Sequence, residues 1–180
     1  MSFPGIPSLD AAVMAFIQTH FHNTVTDTVF PIITSLGEAG IGWIVLSLVL
    51  LCFKKTRRTG GLVLIAMTVT LLFGELTLKN IICRLRPCNV FTNFPMLIAR
   101  PTSYSFPSGH TSSSFAAALI LTLRHKKVGW LAYIPAVLIA FSRIFLFVHY
   151  PTDVLAGILL GTLAALLTYF AAKAIQKRQA

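Results

Sequence analysis

The sequence LVLIAMTVTLLFGELTLKNII, residues 62–82, is an apolar run with the length of a membrane-crossing helix. Such a helix needs about 20 residues to cross roughly 30 Å of hydrocarbon. Runs of similar length follow at 128–148 and 154–172, and shorter ones lie at 40–53 and 111–123. Together the five runs predict an all-α, polytopic membrane bundle.

The composition and the N-terminal region extend this prediction. Of the 180 residues, 56% are hydrophobic and 11% are charged, whereas soluble domains carry about 25% charged residues. One domain, residues 1–180, is sufficient for this length. Residues 1–39 contain one or two further apolar helices, which either lie at the membrane interface or add a crossing, so we expect five to six crossings. The N-terminus lacks a basic segment, and we expect the internal spans to direct insertion.

The net charge of +10 is concentrated in a few basic clusters. Residues 54–58, residues 124–127 and the last eight residues hold ten of the fifteen Lys and Arg, all on one side of a five-span chain. The positive-inside rule makes that side, with the C-terminus, cytoplasmic in a cell membrane. Because no groove-reading motif accompanies the charge, we expect no nucleic-acid partner.

The other five cations break the positive-inside rule. They lie at the outer ends of the spans or in the outer loop: Lys79, Arg84, Arg86, Arg100 and Arg143. A cation at membrane depth is costly, so it indicates a functional site by default. The sequence therefore predicts an anion site on the extracytoplasmic side.

The first part of this site is the end of the run at 62–82. Lys79 and Arg86 are seven positions apart, which puts them on one face if the helix continues that far. Glu75 precedes Lys79 by one turn and could pair with it. The alternative is that both cations reach outward to lipid headgroups. Two cations on a shared face, with more across the outer side, favour the anion site.

The second part is Ser108-Gly109-His110, directly before the run at 111–123. The first amides of a helix lack internal partners and its dipole is positive there, so this end suits an anion. Gly109 lets a ligand approach the backbone. An ordinary N-cap would explain Ser108 alone, but it does not explain His110.

The third part is SRIFLFVHYPTD, residues 142–153. Pro151 suits the first turn of a helix, and Asp153 in that turn can reach back to the imidazole of His149. A carboxylate on one ring nitrogen fixes the tautomer and leaves the other nitrogen free to attack. A surface histidine beside a helix-capping Asp is the alternative, and it does not explain Arg143 inside an apolar run.

The chemistry that fits these residues is phosphoryl transfer. Its transition state spreads charge over three oxygens, and its catalysis rests on positioning and on cations. Two histidines can serve as nucleophile and as acid–base partner. The five acidic residues do not cluster, and zinc spacings and P-loop signatures are absent, so we expect no metal and no cofactor.

These three segments resemble the signature of the type-2 phosphatidic acid phosphatase family of membrane lipid phosphatases. That signature reads K-x6-RP, then PSGH, then SR-x5-H-x3-D. Here it is KNIICRLRP (79–87), PSGH (107–110) and SRIFLFVHYPTD (142–153), complete and in order, so the catalytic signature region is 79–153. Soluble vanadium haloperoxidases share the signature, but the apolar runs favour the membrane branch.

The resemblance implies a role for each of eight residues. His149 would be the nucleophile that forms a phosphohistidine, with Asp153 orienting it. His110 would protonate the leaving group and then activate water. Without a metal ion, the phosphate oxygens would be held by Lys79, Arg86, Ser108, Gly109 and Arg143.

The function expected from this resemblance is a phosphatase acting on a lipid phosphate in the bilayer. Undecaprenyl diphosphate is the first candidate, by analogy with short family members; phosphatidylglycerol phosphate, phosphatidic acid and lipid A phosphate are alternatives. Residues 109–123 rise only about 22 Å as a helix, which favours a phosphate site below the headgroup plane. A non-enzymatic phospholipid-binding or transport protein is the alternative of another class, and it could dispense with His149 and Asp153.

Two further features each leave two readings open. Gly157 and Gly161 suit either a homodimer face or close packing within the bundle of a monomer. Cys83 and Cys88 are either free thiols or, in an oxidising space, a disulfide pair. The sequence alone decides neither the oligomeric state nor the pairing.

Overall fold

The computed structural model describes residues 3–179, and all regular secondary structure in this range is helical. The helices are α1 (Ser8–His20), α2 (Thr24–Leu36), α3 (Ile41–Cys52), α4 (Arg57–Thr70), α5 (Lys79–Ile82), α6 (Pro87–Val90), α7 (Gly109–Arg124), α8 (Tyr133–Phe145) and α9 (Pro151–Arg178). A π-helical segment, Leu71–Leu78, joins α4 to α5. The predicted all-α class is confirmed.

The chain spans a membrane. Two stretches are long and apolar enough to cross a bilayer, namely Arg57–Val90, which is helical except at residues 83–86, and Pro151–Arg178. Thr24–Leu36 and Glu38–Cys52 together would make a third span with a 44° bend, and Gly129–Phe145 is apolar but shorter. The predicted five to six crossings therefore stay a prediction.

Helix α7 is the centre of the bundle and packs against α4, α8 and α9. Its contact residues include the buried series Ala116, Ala117 and Ala118 and the buried hydroxyls of Ser112 and Ser114. Helix–helix interfaces in membranes use small residues and Ser or Thr in place of large apolar side chains. This explains why its sequence has the weaker membrane signal.

Gly157 and Gly161 bring α9 close to α7. A Cβ on Gly157 would lie 2.8 Å from the carbonyl oxygen of Ser108, and a Cβ on Gly161 would overlap the carbonyl oxygen of Ser112. Small residues allow this close approach of two helix backbones. The structure thus uses the GxxxG pair for packing within the bundle.

We expect Gly161→Ala to destabilise the protein, because its methyl group can be accommodated only if the backbone of α7 moves. Overpacking of this kind costs about 1–3 kcal/mol, and thermal unfolding in detergent should show a lower Tm. Gly61→Ala is the matched control, since nothing lies within 4 Å of a Cβ on Gly61. An equal change in Tm for both variants would contradict the close packing of α7 and α9.

The connection 53–56 after α3 and the connection 125–128 after α7 meet at one end of the bundle. Next to them, the hydroxyl of Thr59 lies 3.1 Å from Nε2 of His125. Helices α4 and α8 run from these connections toward the opposite end, where α7 begins. Helix α1 packs at that opposite end, where the side-chain amide of Gln18 donates to the carbonyl of Phe145 (3.0 Å).

Candidate active site

A cavity of about 850 Å³ lies at the end of the bundle where α7 begins. The three predicted segments converge on it. Its polar part is lined by Glu75, Lys79, Arg86, Gly109, His110, Arg143 and His149. Six of the eight predicted site residues therefore share one cavity, and Ser108 and Asp153 lie behind its wall.

Lys79 lies at the start of α5 and is 5% exposed. Its ammonium group donates to both carboxylate oxygens of Glu75, each at 2.7 Å, as the one-turn spacing predicts. The Glu75 carboxylate also lies against the first turn of α7, because a Cβ on Gly109 would overlap Oε1 of Glu75. Glu75 thus sits between a cation and a helix N-terminus, where an anion is favoured.

Arg86 does not continue the helix of Lys79, so the conditional prediction of one shared helical face is wrong. Helix α5 ends at Ile82, because Cys83 adopts a left-handed conformation with φ of 51°. Arg86 then lies in extended backbone before α6. The two cations still converge, because the chain bends between them and brings Arg86 over the cavity.

Arg86 is held from two sides. Its Nε donates to the carbonyl of Ser103 (2.8 Å), and its Nη1 donates to the carbonyl of Val148 (2.9 Å). The same Nη1 lies 2.9 Å from Nε2 of His149. The guanidinium therefore covers the ring nitrogen that faces away from Asp153.

Arg143 is buried near the end of α8. Its Nη1 donates to the hydroxyl of Thr34, on α2. Its Nε is also buried and has no hydrogen-bond partner within residues 3–179. A buried guanidinium with a donor still free is suited to an anionic ligand.

His149 is fully enclosed in the connection between α8 and α9. Its Nδ1 lies 3.4 Å from Oδ2 of Asp153, and Nε2 accepts from Arg86. Burial lowers the pKa of His149 well below its ordinary value, and the cations Arg86, Arg143 and Lys79 lower it further. The imidazole is therefore neutral at pH 7, as a nucleophile requires.

Asp153 is fully buried in the first turn of α9. Its Oδ2 accepts from the backbone N–H of Tyr150 (2.9 Å) and from the hydroxyl of Ser105. The same carboxylate oxygen thus caps the helix and faces the His149 ring. This arrangement fits the orienting role that the resemblance implies.

His110 occupies the first turn of α7 and faces the cavity. Its Nε2 is buried, with no hydrogen-bond partner in the part of the chain that the structure describes. A Cβ on Gly37 would lie 2.9 Å from Cδ2 of His110, so the α2–α3 connection packs against the ring. A ring nitrogen left free in this way is available for proton transfer to a ligand.

Ser108 is used as a helix cap. Its hydroxyl oxygen accepts from the hydroxyl of Thr111 (2.9 Å), and its backbone N–H donates to the carbonyl of Asp153 (3.1 Å). The side chain is buried and does not line the cavity. Its predicted phosphate contact stays a prediction.

Sequence reasoning missed several residues that hold the site together. Arg84 was noted only as one of the five cations that break the positive-inside rule. It donates to Oδ1 of Asp153 (2.6 Å) and to Oδ2 of Asp10 (2.7 Å). Asp10, on α1, is fully buried. One signal was present, since Asp10 is one of only five acidic residues in the chain and lies in an apolar segment. Ser105 and Thr34 carry no such signal.

Arg100, the last of the five cations that break the positive-inside rule, has a structural role. Its Nη2 donates to the carbonyls of Thr92 (2.7 Å) and Phe94 (2.9 Å), and its Nη1 donates to that of Cys88. It therefore braces the loop that carries Ser103 and Ser105 toward the site. Cys83 and Cys88 are free thiols in this structure.

A family model described as the PAP2 superfamily matches residues 59–177. An undecaprenyl-diphosphatase of Sulfolobus acidocaldarius is 40% identical over 121 residues, which are 67% of this chain and 58% of that protein. The chain thus spans less than two thirds of that relative. The bacitracin transport permease protein BcrC of Bacillus licheniformis is 34% identical, over 79% of this chain and 71% of that protein.

A solved structure gives the same result for the whole bundle. The transmembrane PAP2-type phosphatidylglycerolphosphate phosphatase from Bacillus subtilis superposes with a TM-score of 0.76 at 29% identity. The superposition covers 96% of this chain and 89% of that one. By the match of the family model to more than half of its length, this chain belongs to the PAP2 superfamily.

Proposed function

We propose that this protein is an integral membrane lipid phosphatase that removes a terminal phosphate from a lipid phosphate or diphosphate, with undecaprenyl diphosphate as the first candidate. The observation that carries the proposal is the enclosed His149 beside three buried cations in one cavity. The relatives support it, because one is named an undecaprenyl-diphosphatase and one a phosphatidylglycerolphosphate phosphatase.

In the first step, Nε2 of His149 attacks the terminal phosphorus. The N–P bond forms while the bond from phosphorus to the bridging oxygen breaks, and His110 gives its proton to that oxygen. Asp153 accepts from Nδ1–H and stabilises the charge on the ring. Arg86 must leave Nε2 for a phosphate oxygen, so substrate binding itself uncovers the nucleophile.

In the second step, His110 takes a proton from water, whose oxygen attacks the phosphohistidine. The N–P bond breaks and inorganic phosphate leaves. Throughout, Lys79, Arg86 and Arg143 stabilise the charge on the phosphate oxygens, with the amide of Gly109 and with Ser108 as further predicted contacts. The proposed reaction needs no metal ion, because three protein cations supply this stabilisation.

The shape of the cavity supports a lipid substrate. Its lining also includes apolar side chains, namely Pro31, Ile44, Leu64, Met67, Leu71 and Ile98. They come from α2, α3, α4, the π-helical segment and the loop before α7, and they suit a hydrocarbon chain attached to the phosphate. Phosphatidylglycerol phosphate, phosphatidic acid and lipid A phosphate remain alternative substrates.

Phosphate release by the purified protein tests the proposal. A panel of undecaprenyl diphosphate, undecaprenyl phosphate and the three alternative lipids is assayed in detergent with EDTA. We expect release from undecaprenyl diphosphate at the highest kcat/KM, with no loss of rate in EDTA. A non-enzymatic lipid-binding or transport protein, as the name of one relative suggests, would bind these lipids and release no phosphate.

We also propose that residues 1–180 form a single membrane domain with five to six crossings, as a monomer or homodimer. Its site would face the extracytoplasmic side and its C-terminus the cytoplasm. The position of the basic connections supports this, because 54–58 and 124–127 lie at the end opposite the cavity. Clusters of Lys and Arg favour the cytoplasmic side.

Cysteine labelling checks this orientation. In a background with Cys52, Cys83 and Cys88 replaced by Ser, Asn93→Cys is expected to react with an impermeant maleimide in intact cells. Asn93 is exposed in the loop near the site. Lys126→Cys, exposed at the opposite end, should react only after lysis. The reverse pattern would contradict the proposed orientation.

A further inference from the structure

Helix α1 contributes a buried charge to the site from outside the family-matched residues 59–177. We propose that Asp10 and Arg84 are positioning residues, which orient Asp153 and, through it, the His149 imidazole. The inference rests on the proposed function. It assigns to the N-terminal helix a part in the chemistry rather than only in membrane anchoring.

The contacts form a closed network around the first turn of α9. Oδ1 of Asp10 accepts from the backbone N–H of Thr152 (2.9 Å), and Oδ2 accepts from its hydroxyl (2.7 Å). Arg84 donates to Asp10, to Thr152 (2.7 Å) and to Asp153. Its guanidinium carbon also lies 3.8 Å from the centre of the Tyr150 ring. Four residues, Asp10, Tyr150, Thr152 and Asp153, therefore hold the Arg84 guanidinium in place.

Each oxygen of Asp153 consequently has a separate task. Oδ1 accepts from Arg84, while Oδ2 accepts from Tyr150 and Ser105 and faces Nδ1 of His149. The carboxylate cannot rotate without giving up one of these bonds. Nδ1 of His149 lies 3.4 Å from Oδ2 of Asp153 and also 3.4 Å from Oγ of Ser105, which itself donates to that Oδ2. The fixed carboxylate and its serine partner therefore hold the ring with Nε2 directed at the cavity.

Asp10 also sets how strongly Arg84 acts on Asp153. One guanidinium is shared between two fully buried carboxylates, so its charge is divided between them. Without the charge of Asp10, Arg84 would pair with Asp153 alone, which would make that carboxylate a poorer acceptor for the imidazole. Asp10 therefore preserves the strength of Asp153 as a hydrogen-bond acceptor for His149.

The test is Asp10→Asn, which keeps the shape and the acceptor for Thr152 and removes the charge. We expect kcat to fall about 10- to 100-fold, as for outer partners that orient catalytic or metal-binding histidines, with KM within about twofold of wild type. Asp27→Asn is the matched control. Asp27 lies on α2 and pairs with His22 (2.7 Å), away from the cavity.

Ligand binding separates positioning from mere docking of α1. Vanadate becomes five-coordinate by accepting an imidazole nitrogen, whereas inorganic phosphate stays tetrahedral and forms no bond to that nitrogen. We expect Asp10→Asn to weaken vanadate binding at least about tenfold, in proportion to kcat. Inorganic phosphate should bind as it does to wild type. Both affinities are measured by calorimetry, which does not depend on turnover.

The outcomes distinguish the two proposals. Wild-type kcat and wild-type vanadate affinity in Asp10→Asn would overturn the positioning role. Equal weakening of vanadate and phosphate, or a lower Tm with unchanged kcat per folded molecule, would also overturn it and leave α1 a structural role. A further outcome is that the wild-type protein releases no phosphate from any lipid while Asp10→Asn still weakens the binding of vanadate and not of phosphate. That result would contradict the proposed function and support the positioning role.

Discussion

His149→Ala is expected to abolish phosphate release from every lipid phosphate. The imidazole lines the described cavity, and its Nε2 lies 2.9 Å from Nη1 of Arg86. Removal of a catalytic nucleophile lowers kcat on the order of 10⁵- to 10⁶-fold in other hydrolases that form covalent intermediates. The remaining cations can still bind phosphate, so the loss should lie in kcat rather than in binding.

The measurement is phosphate release in detergent, together with inorganic phosphate binding by calorimetry. His20→Ala is the control, because His20 is exposed and bonds only to the carbonyl of Phe16, within its own helix (2.9 Å). Retained turnover in His149→Ala would exclude a phosphohistidine route. Loss of turnover in both variants would point to a general failure of folding or purification.

His110→Asn is expected to divide the reaction into its two steps. Turnover of a lipid diphosphate should fall about 10²- to 10⁴-fold, the usual contribution of a general acid–base group. An aryl phosphate with a good leaving group needs no proton, so its first step should persist while hydrolysis of the phosphohistidine slows. The enzyme should then accumulate in the phosphorylated form.

Labelling with ³²P detects this intermediate. A phosphoramidate is labile in acid and stable in base, which separates it from an ester on serine or threonine. The label should be strong in His110→Asn, weak in wild type and absent in the His110→Asn, His149→Ala double variant. Label that survives without His149, or His110→Asn turnover equal to wild type, would contradict the assigned roles.

The sequence could predict that the cations converge, because placing a charged side chain inside a bilayer costs free energy. Lys79 and Arg143 lie in apolar runs with the length of a membrane span, so a functional reason for them could be inferred without a structure. His149 and Asp153 were found by their one-turn spacing across the start of α9. The structure brings all four into one neighbourhood, and their catalytic roles stay predictions.

The path of Arg86 could not be predicted. It depends on a left-handed residue at Cys83, and the sequence offers no glycine or asparagine there to indicate a helix end. The position of Ser108 was equally open, because a serine before a helix suits both a cap and a ligand contact. Local sequence patterns do not distinguish these alternatives, since the surrounding packing decides between them.

The hydrogen-bond network of Asp10 was the hardest feature to predict from the sequence. Asp10 is 74 positions from Arg84 and 142 positions from Thr152, so no helical or turn spacing relates them. Single-sequence reasoning detects periodicity within one element, whereas these contacts join α1, the α5–α6 connection and α9. The sequence did offer one indication, since Asp10 is one of only five acidic residues in the chain. A carboxylate that is buried in an apolar helix must find a partner.

The reach of α1 and α2 into the cavity bears on how this protein can be dissected. A fragment cut at residue 59, where the family match begins, would keep all eight predicted site residues. The fragment would lack Asp10, which accepts from Arg84, and Thr34, which accepts from Arg143. Two arginines would therefore lose partners that they have in the intact chain. Chimeras between relatives should therefore exchange the N-terminal helices together with the catalytic segment, since two arginines of that segment have partners outside the residues that the family model matches.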